Sequence, residues 1–227
     1  MSNSQTPPEI VDADYLVIGA GSAGCVLAAR LSEDPGVRVC LVEAGRKDND
    51  FWIHIPVGYG RTIARPDVNW MFETEPNPAL GGRRIFWPRG KVLGGSSSIN
   101  GLIYIRGQAE DYDLWRQEGN TGWGYDDVLP YFRKSEDQEN GADDWHGSGG
   151  PLSVTNLTER NPLCDAFVGS AGAVGIPANP DFNGRDQEGA GYFQATVRRG
   201  RRASTAVCYL RPAMKRPNLT VLTGVTA

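Results

Sequence analysis

Residues Asp14–Gly45 read DYLVIGAGSAGCVLAARLSEDPGVRVCLVEAG, and the order of residue types predicts strand, glycine turn, helix, strand. The apolar run Tyr15 to Ile18 meets Gly19-Ala20-Gly21-Ser22-Ala23-Gly24, an Ala/Leu-rich segment follows, and a β-rich run from Val37 to Val42 stops at Glu43. Each glycine has its own physical duty: Gly19 permits the tight turn, Gly21 lets the backbone approach a pyrophosphate, and Gly24 lets helix and strand pack closely. Unpaired N–H groups and the dipole at the helix start favour an anion there. Glu43, closing the second strand, is placed to accept hydrogen bonds from an adenosine ribose and to repel a 2′-phosphate. A lone GxGxxG says little, but a strand before it, a helix after it and an acid at the expected distance point to a dinucleotide site. The fingerprint itself is common to NAD- and FAD-binding proteins.

The remaining composition narrows the class. A chain of 227 residues with 29 Gly and 15 Pro among ordinary apolar segments, without repeats, reads as a loop-heavy globular protein of one or two domains. A formal charge of −4 offers no electrostatic footprint for nucleic acid. No apolar run has the length of a membrane span, and peripheral membrane contact stays open. The polar opening, residues 1–12, has no apolar leader core and is expected to be a disordered lead-in, which favours the cytoplasm. Cys25, Cys40, Cys164 and Cys208 lack CxxC spacing and read as small buried hydrophobes. The two histidines, His54 and His146, have no neighbours at metal-ligand spacing; both read as loop histidines, and no metal site is expected.

After Glu43, residues Phe51–Met71 are rich in aromatics, Gly and Pro without a sustained period, as in an ordered excursion that covers something. The second informative stretch is Arg89–Asp113, RGKVLGGSSSINGLIYIRGQAEDYD. Its Gly94-Gly95-Ser96-Ser97-Ser98 turn permits close backbone approach; a serine-rich helix cap has the same composition.

With these residues in hand, the chain resembles the N-terminal part of the glucose–methanol–choline (GMC) oxidoreductases, FAD-dependent alcohol dehydrogenases and oxidases. The resemblance runs from Tyr15 to Ala227 and rests on the fingerprint with CLVEAG, on FWPRGKVLGGSSSINGLIYIRGQAEDYD, and on the closing SxxxxYLRPAMKRPNLTVLTG. It is nearest in look to bacterial choline-dehydrogenase-like and aliphatic alcohol dehydrogenases. The resemblance implies FAD, with its ADP half on Gly19, Gly21, Ser22, Gly24 and Glu43, and its flavin half against Val92, Gly95, Ser96 and the backbone of Asn100, Gly101, Leu102 and Ile103. Ala23, Ala44 and Ala227 complete the implied cofactor set. Some family members carry the flavin on a histidine one residue before this asparagine; Ile99 stands there, so noncovalent FAD is implied.

The fold class implied is α/β: a Rossmann-like FAD-binding βαβ domain over 13–105 and 216–227, with an interleaved, incomplete α+β substrate-side domain over 106–215. Within the latter, Gln108–Gly119 predicts a helix with Glu110 and Asp111 in its first turn, and Asp126 or Asp127 is a candidate cap for a helix reaching Phe132. Pro130 is expected within that helix's first turn, and the acids of 136–144 in a solvated loop. Asn161-Pro162 and Gly175 bound a helix over 162–174. Arg198 to Arg202 reads as a turn with solvated arginines, Ser204 as the cap of a helix to Leu210, and Asn218 to Thr223 as a strand returning to the nucleotide sheet. The family's catalytic histidine lies near the C-terminus of a chain roughly twice as long, and neither His54 nor His146 matches it, so no catalytic residue is assigned. The expected function is the FAD-binding portion of an oxidoreductase taking hydride from a small alcohol to flavin N5, with the electron acceptor open. The alternative is a flavin- or nucleotide-binding module, or a truncated fragment, without turnover.

Overall fold

The computed structural model describes residues 11–227, so the expected lead-in lies, up to residue 10, outside the described residues. In chain order the elements that position the site are β1 (Tyr15–Ile18), α1 (Ser22–Leu31), β2 (Val39–Glu43), α2 (Ala109–Gln117), α3 (Tyr125–Ser135), β3 (Glu136–Gln138), β4 (Leu152–Val154), α4 (Pro162–Ala171) and β5 (Leu219–Thr223). The described residues divide between two compact units, 11–101 with 200–227, and 102–199. The return to the first unit falls at Gly200 instead of 216, because the helical turn Ala206–Leu210, with Ala206 and Leu210 fully buried, packs on α1.

The first unit is a Rossmann-like α/β arrangement. A parallel sheet runs in the order β1-β2-β5, with Tyr15 opposite Val39 and Leu219 also opposite Val39. Every residue of β2 is buried, which is why VCLVE reads as an unbroken apolar run up to its acid. The strand starts at Val39, later than Val37, since Val37 closes the turn after α1 by donating its N–H to Asp34 O at 3.1 Å. Asn218 anchors that turn to β5: its Nδ2 donates to Ser32 O, Asp34 O and Val37 O at 3.2, 2.9 and 2.7 Å. Asp12 forms an ion pair with Arg38 at 2.5 Å, so the end of the expected lead-in is tied down. Ser204 Oγ accepts from Val207 N at 3.3 Å, but the helix it opens is a π turn over Ala206–Leu210, continued by Arg211–Ala213.

The second unit departs from the sequence reading where partners are distant. α2 begins with Gln108 N donating to Asp111 Oδ2 at 3.0 Å, and Tyr112 and Trp115 meet edge to face at 5.4 Å, as their spacing predicts. α3 starts earlier than predicted. Gly124 is its cap residue, and Asp127, three positions in, accepts from Gly124 N at 3.0 Å, so neither Asp126 nor Asp127 is the cap. Pro130 therefore sits beyond the first turn, where it removes a helix hydrogen bond. α4 matches its prediction: Asn161 Oδ1 accepts from Leu163 N at 2.9 Å, and Gly175 takes the left-handed conformation at φ 82° after a closing 3₁₀ turn.

The loop expected to be solvated begins instead as buried β3, paired in parallel with β4. Glu136 is fully buried and takes Arg106 Nη2 at 2.6 Å. His146, expected as a loop histidine, is 2% exposed, with Nδ1 3.1 Å from Glu136 and Nε2 2.8 Å from Asp181. Two carboxylates facing both ring nitrogens require both to donate, so the imidazole is a cation. Bonds to Asp181 and then Glu136, against the cost of burial, raise its pKa from 6.5 to about 9. With Arg106 the cluster pairs two positive groups with two negative ones. Cys164 is also a correction, since it is exposed on α4 while Cys25, Cys40 and Cys208 are buried.

Because the folded value lies above the unfolded one, the stabilisation from His146 is complete below about pH 6.5 and is lost as pH rises through about 9. Thermal unfolding followed from pH 6 to 10 should show this fall in Tm, and H146Q should flatten it. An unchanged slope in H146Q would assign the fall to other groups.

Candidate functional site

The site forms where two glycine turns of the first unit touch. Gly19 turns at φ 88°, and a Cβ on Gly24 would lie 1.9 Å from Gly19 O, so only glycine lets α1 start this close to β1. The second turn carries Gly94 and Gly95 at φ 88° and 53° and continues as a 3₁₀ turn over Gly95–Ser98. Gly94 N donates to Ala20 O at 2.7 Å, and a Cβ on Gly95 would stand 2.6 Å from Gly21 Cα. The two turns are thus in backbone contact. Gly90 is equally constrained, its Cβ position falling 2.2 Å from Gly95 C, and its N–H donates to Ser96 Oγ at 3.1 Å.

Glu43 closes this junction. Its Oε2 accepts from Ala20 N and its Oε1 from Gly45 N, both at 2.8 Å, and it is 6% exposed. A carboxylate has about four acceptor positions, so these two bonds leave capacity on both oxygens.

A cavity of about 450 Å³ opens at the junction. Of the expected residues, Gly19, Gly21, Ser22, Glu43, Ala44, Gly95, Ser96 and Ala227 line it. No protein atom lies within 4 Å of a Cβ built on Gly21, so a side chain there would project into open space. Ala23, on the exposed side of α1, does not line the cavity; Gly24 and Val92 are buried behind it. Asn100 and Gly101 are exposed and also stand outside the lining. Leu102 and Ile103 belong to the second unit, where Leu102 takes φ 65° and Ile103 pairs with Ala195. Ile99 is 2% exposed, in a cluster with Ile53, Val68 and Val92.

Sequence reasoning missed part of the wall. Trp70 and Phe72 stack at 5.7 Å with rings 6° from parallel, and both line the cavity, as do Arg89, Gly90, Val225 and Thr226. The signal was available: Trp70 lies at the end of the segment expected to cover something with Phe72 two residues on, and Arg89-Gly90 opens the same stretch as the second turn. Lys91 Nζ lies 4.5 Å over the Trp70 ring.

Two further corrections fall in this unit. His54 is 8% exposed at the end of the short helix Phe51–His54, its Nε2 2.6 Å from Asp48 O. Arg202, expected in a solvated turn, is 1% exposed; burial pulls its pKa down to about 10.

The family model for GMC oxidoreductase matches residues 13–227. The chain belongs to the GMC oxidoreductase family. It is 48% identical over 212 residues to mitochondrial choline dehydrogenase of Mus musculus, covering 90% of this chain and 36% of that protein. To alcohol dehydrogenase [acceptor] of Pseudomonas putida it is 47% identical over 215 residues, 94% of this chain and 39% of the relative. Its structure superposes on an FAD-dependent oxidoreductase from Chaetomium thermophilum with a TM-score of 0.84 at 28% identity, covering 93% of this chain and 38% of that one. The chain spans well under half the length of each. Among the described residues no helix is long and apolar enough to cross a membrane.

Two glycine substitutions separate fold from binding. G24A should lower stability by at least about 2 kcal/mol, because its methyl meets a backbone carbonyl. G21A, at φ −76° and with free space beside it, should change stability by less than about 1 kcal/mol. It should still weaken ADP binding about tenfold or more, measured by calorimetry. Equal losses of stability in both variants would contradict this.

Proposed function

We propose that this chain is the N-terminal, FAD-holding portion of an oxidoreductase that oxidises the CH–OH group of a small alcohol. The observation that carries the reading is the contact between the two glycine turns: Gly21 and Gly95 border one cavity, with Glu43 on its rim. The residues fit the group. Gly21 leaves room for a pyrophosphate at the start of α1, and the remaining lone pairs of Glu43 suit ribose hydroxyls. Ser96 Oγ accepts from Gly90 N, which leaves its hydroxyl hydrogen to donate. Trp70 and Phe72 offer a stacked apolar wall, and Arg89 a cation.

When bound, FAD supplies the hydride acceptor. The chain's own residues hold and orient it. The ionisable side chains lining the cavity are Glu43 and Arg89, and Glu43 is engaged by two amides, a lining suited to binding more than to proton transfer. That favours, for this chain taken by itself, the cofactor-holding role within the larger reaction. An alcohol substrate is supported by the names of the relatives, choline dehydrogenase and alcohol dehydrogenase. Noncovalent attachment is supported by Ile99, a hydrocarbon at the position before Asn100, buried in an apolar cluster.

FAD titrated into the purified chain should quench flavin fluorescence, and acid precipitation should return all flavin to the supernatant. E43Q, which turns one acceptor into a donor facing an amide N–H, should weaken FAD binding roughly 10- to 100-fold. In the protein of which this chain is the N-terminal portion, a primary alcohol added anaerobically should bleach the flavin band. A chain that binds ADP with full affinity and ignores FAD would reduce the reading to a generic nucleotide fold, and flavin retained in the acid pellet would overturn noncovalent attachment.

A further inference from the structure

Arg202 is the most deeply buried cation of the first unit, and what surrounds it is unusual for a charge. Nε donates to Ile53 O at 2.7 Å, and Nη1 donates to Ser97 O at 3.1 Å and to Asn100 Oδ1 at 2.8 Å. All three acceptors are neutral, and Nη2 is buried without a hydrogen-bond partner. A guanidinium removed from water without a carboxylate is costly, and an aliphatic side chain would fill the same space at less cost. What an aliphatic chain cannot supply is a rigid planar fork of donors reaching three separate acceptors at once.

Of those acceptors, Ser97 lies within the second glycine turn and Asn100 just beyond it. Ser97 is gripped twice from this segment: Arg202 holds its carbonyl, while Thr205 N donates to its hydroxyl oxygen at 3.1 Å. The Ser97 hydroxyl in turn donates to Gly94 O at 2.6 Å, so the brace reaches the turn itself. Arginine has no acceptor, so Asn100 must present its oxygen inwards, which fixes the amide's orientation. The first turn, with Gly19 and Gly21, has none of its hydrogen bonds from Arg202.

We propose that Arg202 is a positioning residue for the flavin-side cradle, acting through Ser97 and Asn100, and that it leaves the adenine-side cradle to Gly21 and Glu43. This rests on the FAD reading above. The role belongs to the fork and not to the charge, so lysine does not replace it.

The test compares FAD and ADP binding to the full chain by calorimetry in wild type, R202K and R202Q, with Tm and the visible circular dichroism of bound flavin as companions. ADP reports the first cradle alone. Both variants should bind FAD roughly 10- to 100-fold more weakly, bind ADP within about twofold of wild type, and alter the dichroism of whatever flavin remains. FAD and ADP affinities falling together would show a general loss of the unit and overturn the proposal, as would full FAD binding by R202K. A wild-type chain that binds ADP but not FAD would remove the FAD reading and this inference with it, whereas wild-type FAD binding with unmoved variants would remove the inference alone.

Discussion

The backbone of Ala20 carries the site. Its N–H donates to Glu43 Oε2 and its carbonyl accepts from Gly94 N, so one fully buried residue joins the end of β2, the first glycine turn and the second. These two groups belong to the successive planar peptides on either side of the Ala20 Cα, so fixing both restrains the backbone dihedrals between them and with them the turn. Gly95 against Gly21, Gly90 against Gly95 and Gly24 against Gly19 are then consequences: backbone must approach backbone, and a Cβ at Gly24, Gly90 or Gly95 would fall within 2.6 Å of it. The cavity is the space these contacts leave open.

Local constraints were legible in the sequence, and long-range ones were not. The β1-α1-β2 unit, α4 with its Asn161 cap, and β5 could be read because periodicity, caps and glycines act over a few residues. Glu43 was legible in position but not in partners, since its bonds to Ala20 and Gly45 use the same oxygens that face the cavity. Glu136 and Arg202 read as solvated, and His146 as a loop histidine, because charge predicts exposure unless a partner is known. Their partners lie far away in sequence: Arg106 for Glu136, Asp181 for His146, and Ile53, Ser97 and Asn100 for Arg202. α3 failed differently. An acid three residues inside a helix and an acid at its cap look alike in sequence, and taking Asp127 for the cap displaced Pro130 by a turn.

The two units bury positive charge in opposite ways, and the contrast bears on what each arrangement is for. In the second unit Arg106 and His146 meet Glu136 and Asp181, a balanced cluster linking β3 with the segments before and after it. Such a cluster recovers much of its desolvation cost by Coulomb attraction and tolerates small displacements, because attraction between charges falls off slowly with distance. In the first unit Arg202 faces only carbonyl and amide oxygens, whose attraction for a cation depends on angle as well as distance. A cluster of the first kind serves to hold segments together. The second kind costs more and is worth keeping only where direction matters, and here the directed groups are Ser97 and Asn100, immediately behind the turn that borders the cavity.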